Sequence, residues 1–373
     1  MISTIRKIRN FIRSYTMSNI FNLFISKNLR NAWKKLNKEN FDNLLIKSMD
    51  KYLKSIDYKK TSTHHKFALI KILKIIEKHK NKESSKEFQF NNPNFHSEFN
   101  DSSIEELLKN KLNNNIPFSD LFKTYPSLKL ENSLKLNLIN NLIYNNLKEK
   151  KVFNYISNLK DNTFIGNDNI FNNQNNIKIT QEKMRSLLEY ENISALPKNK
   201  NQRILEIGSG NGRICETILS IDQTVSKYVL LDIPPALFFA YERLKKNFID
   251  KKICYGIDIN SKSEFEKAFL ENDILLLFPN QYKFFSKKMF DLFIAIDCLH
   301  EMNKSTVQEY MDLADSSSNY LYFKVHKYAH VPFSLTILDV ENLKSYFIRN
   351  HWKLIYKKKS YFPSHDYELA FKL

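Results

Sequence analysis

The sequence predicts an α/β protein: a mostly parallel sheet flanked by helices, ending in an antiparallel hairpin and preceded by a helical N-terminal region. Three observations predict it. From Arg203 onward, short apolar runs alternate with helical patterns, the rhythm of buried parallel strands joined by crossover helices. The last stretch, "WKLIYKKKSYFPSHDYELAFKL", leaves no room for a helix and reads as two hairpin strands. Upstream of about residue 160, apolar residues instead recur at helical spacing.

Three regions follow from these rhythms. Residues 1–160 form a basic helical region. Ile2, Ile5, Ile8, Ile12 and Tyr15 line one helix face, with Arg6, Lys7, Arg9 and Arg13 between them. Such a helix packs its apolar stripe on the rest of the protein, or lies on an anionic membrane surface. "FDNLLIKSMDKYL" and "KFALIKILKIIEKHK" continue the helical pattern, and a polar stretch over residues 81–103 reads as a linker. Ser102 with Glu105, or Ser103 with Glu106, offers a capping box for the next helix, and helical patterns run on to about Lys150. Residues 161–200 hold an Asn-rich connection, "DNTFIGNDNIFNNQNNIK", and a helix, "TQEKMRSLLEYENI", leading over the ligand site. Residues 201–373 are the α/β domain, with strands expected at "RILEIG", "YVLLDI", "KICYG" or "DILLLF", "FDLFIAID" and "NYLYFKV".

The 373 residues, 42% of them hydrophobic, suffice for a buried core. The net charge of +18 is unevenly placed: residues 1–82 hold 20 basic and 5 acidic side chains, residues 201–373 hold 23 and 21. A basic N-terminal region therefore precedes a nearly neutral domain, and an anionic membrane, an acidic glycan or a phosphate is the expected partner for it rather than a nucleic acid. Cys215, Cys254 and Cys298 lie far apart, without the spacing of a disulfide framework or a zinc site. No apolar run is long enough to span a bilayer and no signal-peptide pattern opens the chain, so a cytoplasmic protein is expected, with the basic region able to hold it at a membrane periphery.

The chain has only 5 glycines, and three of them, Gly208, Gly210 and Gly212, fall in "LEIGSGNGR". This stretch joins an expected strand to an expected helix. Glycine there permits a tight turn and a close approach of backbone to ligand. Twenty residues after Gly212, the next strand ends in Asp232, where a carboxylate can accept the ribose hydroxyls of a nucleotide-like ligand. A dinucleotide site usually spaces its glycines G-x-G-x-x-G; here the pattern is E-x-G-x-G-x-G, with Glu206 beside the loop. An acid there would repel a pyrophosphate and suits the ammonium and sulfonium charges of S-adenosylmethionine. Glu206, Gly208, Ser209, Gly210, Gly212, Asp232 and Ile233 are the cofactor-site candidates, with Asn280 or Gln281 of "DILLLFPNQ" near the adenine.

These residues carry a resemblance. "LEIGSGNGR" followed by "LLDIPPALFFAYERL" resembles the Rossmann-like class I S-adenosylmethionine-dependent methyltransferases. More narrowly, residues 160 to 373 are similar to the sugar O-methyltransferase family of bacterial polysaccharide loci, whose short motifs match Gly166-Asn167, Asp232 with Pro234-Pro235, and Glu301-Met302. The resemblance implies S-adenosyl-L-methionine as cofactor and a sugar, nucleotide-sugar or glycan acceptor.

A sugar hydroxyl needs a base as its proton leaves. The strand "FDLFIAID" ends at Asp297, and "CLHEMN" follows, so Asp297, His300 and Glu301 are the catalytic candidates at the mouth of the site. His300 titrates nearest neutrality, whereas the family resemblance favours Glu301. His326, His330, His365 and Asp366 are secondary candidates. No motif has metal-ligand spacing, and none is assigned. The leading expectation is a sugar O-methyltransferase of surface polysaccharide or glycan biosynthesis. An RNA methyltransferase using the basic region, or a non-catalytic adenosyl-binding interaction protein, is the alternative, although no RNA-binding motif is recognised.

Overall fold

The computed structural model describes residues 29–36, 42–54, 132–159, 170–174, 177–234, 236–330, 337–362 and 366–373. The expected helix at Ile2–Tyr15, the pattern "KFALIKILKIIEKHK", the caps at Ser102 and Ser103, and Gly166-Asn167, Pro235 and His365 lie outside these residues. Of the N-terminal region, a helical stretch at 29–35, α1 (Asn43–Lys54) and α2 (Asn132–Lys148) are described, the last followed by a 3-10 turn at Lys151–Asn158. A two-stranded ribbon, β1 (Ile170–Gln174) and β2 (Ile177–Thr180), then leads into α3 (Gln181–Ser194). Thr180 caps that helix by accepting from Lys183 N, which satisfies one of its unpaired first-turn amides.

The α/β domain follows in order: β3 (Gln202–Ile207), α4 (Arg213–Ile221), β4 (Val225–Leu231), α5 (Ala236–Asn247), β5 (Ile253–Tyr255), α6 (Lys262–Glu271), β6 (Ile274–Leu277), β7 (Phe290–Ile296), α7 (Lys304–Ser317) and β8 (Ser318–His326). A small ribbon of β9 (Tyr328–His330) and β10 (Ile337–Asp339) and the hairpin β11 (Lys353–Lys359) and β12 (Asp366–Lys372) complete it. The eight-stranded sheet runs β11-β12-β8-β7-β3-β4-β6-β5. Strands β5 to β8 and β3, β4 are parallel, and β12 pairs antiparallel with β8 and β11. This is the Rossmann-like arrangement with a terminal hairpin that the sequence predicts. Both candidates for the third strand are strands: "DILLLF" forms β6 beside β4, and "KICYG" supplies the short edge strand β5 outside it.

Strand residues alternate between two cores, as a period of two requires. Ile204, Tyr228, Leu230, Ile274, Leu292 and Ile294 face α2 to α5, where Ile143, Met184, Leu187, Ile218 and Leu244 pack. Leu205, Val229, Leu275, Phe293, Leu321 and Phe371 face α6 and α7, packing on Phe265, Val307 and Met311. Burial on both faces explains why β6 is apolar throughout and β7 is apolar but for Asp291, whose carboxylate accepts from Asn199 and from Arg203 N. The N-terminal helices form a third cluster: Leu29, Trp33, Met49 and Tyr52 pack on Phe238 and Phe239 of α5 and on Ile233. Lys51 reaches across to Ile257 O and Asn260 Oδ1. The basic region thus supplies a wall beside the residue that follows Asp232.

The chain builds outward from β3 in both directions, to β4 and β6 on one side and to β7 and β8 on the other. That reversal opens a crevice at the carboxyl ends of β3 and β7, the place where open α/β sheets bind ligands.

Candidate active site

The crevice begins at the glycine loop. Gly208, Gly210 and Gly212 all have positive φ, at 61°, 55° and 76°, a left-handed conformation that side chains disfavour. Two of them have distinct reasons beyond φ. A Cβ on Gly208 would lie 2.3 Å from Cys298 Cβ, because the segment after β7 crosses the loop there. A Cβ on Gly210 would meet nothing within 4 Å, so that position faces open space and its backbone is what a ligand would meet. Asp232, at the end of β4, spans the mouth: one carboxylate oxygen accepts from Gly210 N at 2.7 Å and the other from Ile233 N at 2.6 Å. Ser209 Oγ is buried without a hydrogen-bond partner.

Other predicted residues take different places. Gln281 is buried in a 3-10 turn (Pro279–Phe284), where its amide accepts from Phe278 N and donates to Gly256 O and Ile259 O. The two donated bonds clamp the turn after β6 to the segment after β5, so Gln281 shapes the wall through its neighbours. Asn280 beside it is half-buried. Glu206 points into the helix-covered face of the sheet, only 3% exposed, and accepts from Tyr228 OH at 2.7 Å. Burial pushes its carboxyl up to about 8, against the Tyr228 hydrogen bond and the Arg213 charge.

No family model matches the chain, and no curated protein matches it. Methyltransferases are among its structural neighbours. An S-adenosylmethionine-dependent methyltransferase from Mesorhizobium loti aligns over 50% of this chain and 98% of its own, at 12% identity and a TM-score of 0.34. Another from Leishmania major aligns over 51% and 72%, at 11% identity and 0.37. M. capricolum TrmK in complex with S-adenosylhomocysteine aligns over 49% and 67%, at 12% identity and 0.32.

On the far side of the crevice, Asp297 follows β7 with φ at 55°, a non-glycine residue in left-handed backbone. Its Oδ2 accepts from Arg185 of α3 and lies 3.7 Å from Arg213 Nη2, while its Oδ1 is buried without a partner. Burial raises the Asp297 carboxyl, but Arg185, Lys324 and Arg213 outweigh it and hold it well below the usual carboxylate range. Asp297 is therefore an ionised pin between α3, α4 and the turn after β7. His300, in a 3-10 turn (Leu299–Glu301), is 5% exposed, and Glu301 beside it is half-buried at the mouth. Among the described residues no group of His, Cys, Asp and Glu could hold a metal ion, and no helix is long and apolar enough to cross a membrane.

Sequence reasoning missed the charge cluster behind this wall. Glu189 of α3, almost wholly buried, receives a two-pronged contact from Arg213, a bond from Lys324 Nζ at 2.9 Å and a contact from Arg185 at 3.3 Å. Arg185 and Glu189 are one helical turn apart, a spacing visible in the sequence, but nothing local marks what they meet.

The raised Glu206 carboxyl has a testable consequence. In the unfolded chain it ionises near its ordinary value of 4.5 and in the folded chain near 8, so the folded state holds the proton more tightly. Its stabilising contribution is complete below pH 4.5 and is lost as pH rises to about 8. The variant Glu206→Gln is expected to flatten the fall in stability between pH 5 and 8, read by urea unfolding at fixed pH steps. An unchanged slope would mean Glu206 is already ionised in the folded protein.

Proposed function

We propose that the protein is an S-adenosyl-L-methionine-dependent O-methyltransferase acting on a sugar hydroxyl. One observation carries the cofactor reading: at the topological switch point, Asp232 reaches over a loop of left-handed glycines to the Gly210 amide, with open space above that glycine. A cofactor with a ribose would take the Asp232 carboxylate through its hydroxyls and lie on backbone no side chain covers. Ser209 Oγ, buried and unpartnered, is a further group such a ligand can satisfy. The glycine spacing favours an adenosyl sulfonium over a dinucleotide. Glu206 lies beneath the loop with its proton on, and an arriving cation would draw it toward ionisation. When bound, the cofactor supplies an electrophilic methyl group; the chain's task is to hold an oxygen in line with it and to exclude water.

The acceptor side supports a hydroxyl. Glu301, His326 and His300 gather at the carboxyl ends of β7 and β8, hydrogen-bonding groups suited to a polyol. The similarity of Asp232 with Pro234-Pro235, and of Glu301-Met302, to the sugar O-methyltransferase motifs supports the same acceptor class.

Calorimetric titration of the full chain with S-adenosylmethionine and with NAD tests the cofactor. Asp232→Ala is expected to weaken S-adenosylmethionine binding by about 1.5–3 kcal/mol, roughly 10- to 100-fold, the usual worth of hydrogen bonds to a charged group. Binding of NAD in preference, or an unaffected Asp232→Ala variant, would sink the reading. Turnover of tritium-labelled methyl donor on nucleotide sugars, compared with bulk RNA, then separates the sugar acceptor from a nucleic acid.

A further inference from the structure

The antiparallel register of β12 on β8 sets Asp366 directly opposite His326, at the carboxyl end of β8. Asp366 is fully buried, and one of its carboxylate oxygens lies 2.5 Å from His326 Nδ1. The His326 side chain is 31% exposed. One face of its ring is stacked on His300, with centroids 3.7 Å apart and planes 21° from parallel. Two imidazoles therefore stand together at the acceptor end of the crevice in different surroundings. His326 is carboxylate-backed and reachable; His300 is enclosed, its Nδ1 buried without a partner. β8 lies two strands from β3, on the order of 10 Å, so the space above β7 separates the glycine loop from His326.

We propose that His326, held through Nδ1 by Asp366, is the base that takes the acceptor hydroxyl's proton during methyl transfer. Asp366 is then a positioning residue, and His300 is the platform that fixes the imidazole plane. The inference rests on the methyltransferase reading above. A carboxylate on Nδ1 places the neutral ring's proton there and its lone pair on Nε2, and it stabilises the imidazolium that forms. In the step itself the acceptor oxygen forms a C–O bond as the donor's C–S bond breaks, and the hydroxyl proton passes to Nε2. The donor leaves as an uncharged thioether, and the protonated His326 carries the positive charge that the sulfonium gives up. His300 is the poorer base, because burial and then the neighbouring His326 push it down to about 4, against Glu301, Asp297 and Asp366. Among the described residues, Asp366 of β12 and His300 of the segment after β7 meet the His326 ring; Lys324 of β8 lies 3.9 Å from Asp366 Oδ2, and Glu301 and Asp297 act on His300.

The test uses the full chain, with His326→Gln and Asp366→Asn beside the wild type. Three readouts are S-adenosylmethionine affinity, turnover of a pool of nucleotide-activated hexoses across pH 5–9, and the His326 tautomer and titration by long-range proton–nitrogen spectroscopy of histidine-labelled protein. Expected are unchanged cofactor affinity in His326→Gln, turnover lowered by about 10²-fold or more, and loss of the acid limb of its pH profile. Asp366→Asn is expected to move that limb, and the titration of His326, to lower pH. The wild-type ring is expected to carry its neutral proton on Nδ1. Wild-type turnover and pH profile in His326→Gln would overturn the proposal, as would a neutral proton on Nε2 or a titration that Asp366→Asn leaves in place. If no hexose in the pool is methylated, the tautomer and its response to Asp366→Asn decide alone. Failure of the wild type to bind S-adenosylmethionine overturns the methyltransferase reading and the proposal with it; binding together with the wrong tautomer overturns the proposal only.

Discussion

Gly208→Ala is expected to lose the S-adenosylmethionine binding proposed above and to destabilise the chain by about 2–5 kcal/mol. The new methyl would sit 2.3 Å from Cys298 Cβ and 2.8 Å from Cys298 Sγ, and overpacking a filled position costs about 1–3 kcal/mol. Left-handed backbone adds about 1–2 kcal/mol for any residue with a side chain. Relief of the clash must move the segment after β7, which carries Asp297 and His300, so the loss reaches both halves of the crevice. Gly210→Ala provides the contrast. It incurs the backbone cost at φ 55° but touches nothing within 4 Å, so its stability loss is expected to stay near 1–2 kcal/mol while cofactor binding still falls. Thermal unfolding and calorimetry of the two variants separate these effects. Equal destabilisation by both would show that Cys298 does not abut the loop in solution.

Glu189→Gln is expected to cost about 3–5 kcal/mol, because it leaves Arg213, Lys324 and Arg185 in a buried site without their shared anion. Burial alone would raise the Glu189 carboxyl, yet Arg213, Lys324 and Arg185 together hold it down at about 2. A depressed carboxyl stabilises the fold above its unfolded value, near 4.5, and that contribution is lost as pH falls toward 2. Acid unfolding of the wild type should therefore steepen below pH 4.5, and Glu189→Gln should lack that component while being less stable at pH 7. A variant as stable as the wild type at pH 7 would mean that the three cations find counter-charges elsewhere, Asp297 and Asp366 being the nearest.

Much of the scaffold is legible in the residue order, because its signals are local. "RILEIGSGNGR" contains strand, loop and helix start within eleven residues, and Asp232 closes the next strand. The terminal hairpin is legible for the same reason. The His326–Asp366 pair is different: it joins residues 40 apart through cross-strand register, which depends on where the hairpin bends rather than on any motif. The fates of Glu206 and Gln281 also escape a linear reading. Both are polar residues beside expected ligand contacts, yet each side chain is committed to the fold, Glu206 to Tyr228 and Gln281 to three backbone groups. The ribbons β1–β2 and β9–β10 have strands of only three to five residues, too short to show a strand period.

Helix α3 lies before the glycine-loop segment in the chain but not outside it in charge. Glu189 neutralises Arg213 and Lys324, Arg185 engages Asp297, Glu182 shares Arg243 with Glu216, and Asn192 donates to Glu368. A gene fragment starting at residue 201 would encode every strand of the main sheet and yet leave behind one charged partner each of Arg213, Lys324, Arg243 and Asp297. The heritable module is therefore longer than the sheet it displays: recombination that transplants this domain has to carry α3 along, and its seam falls at or before Thr180.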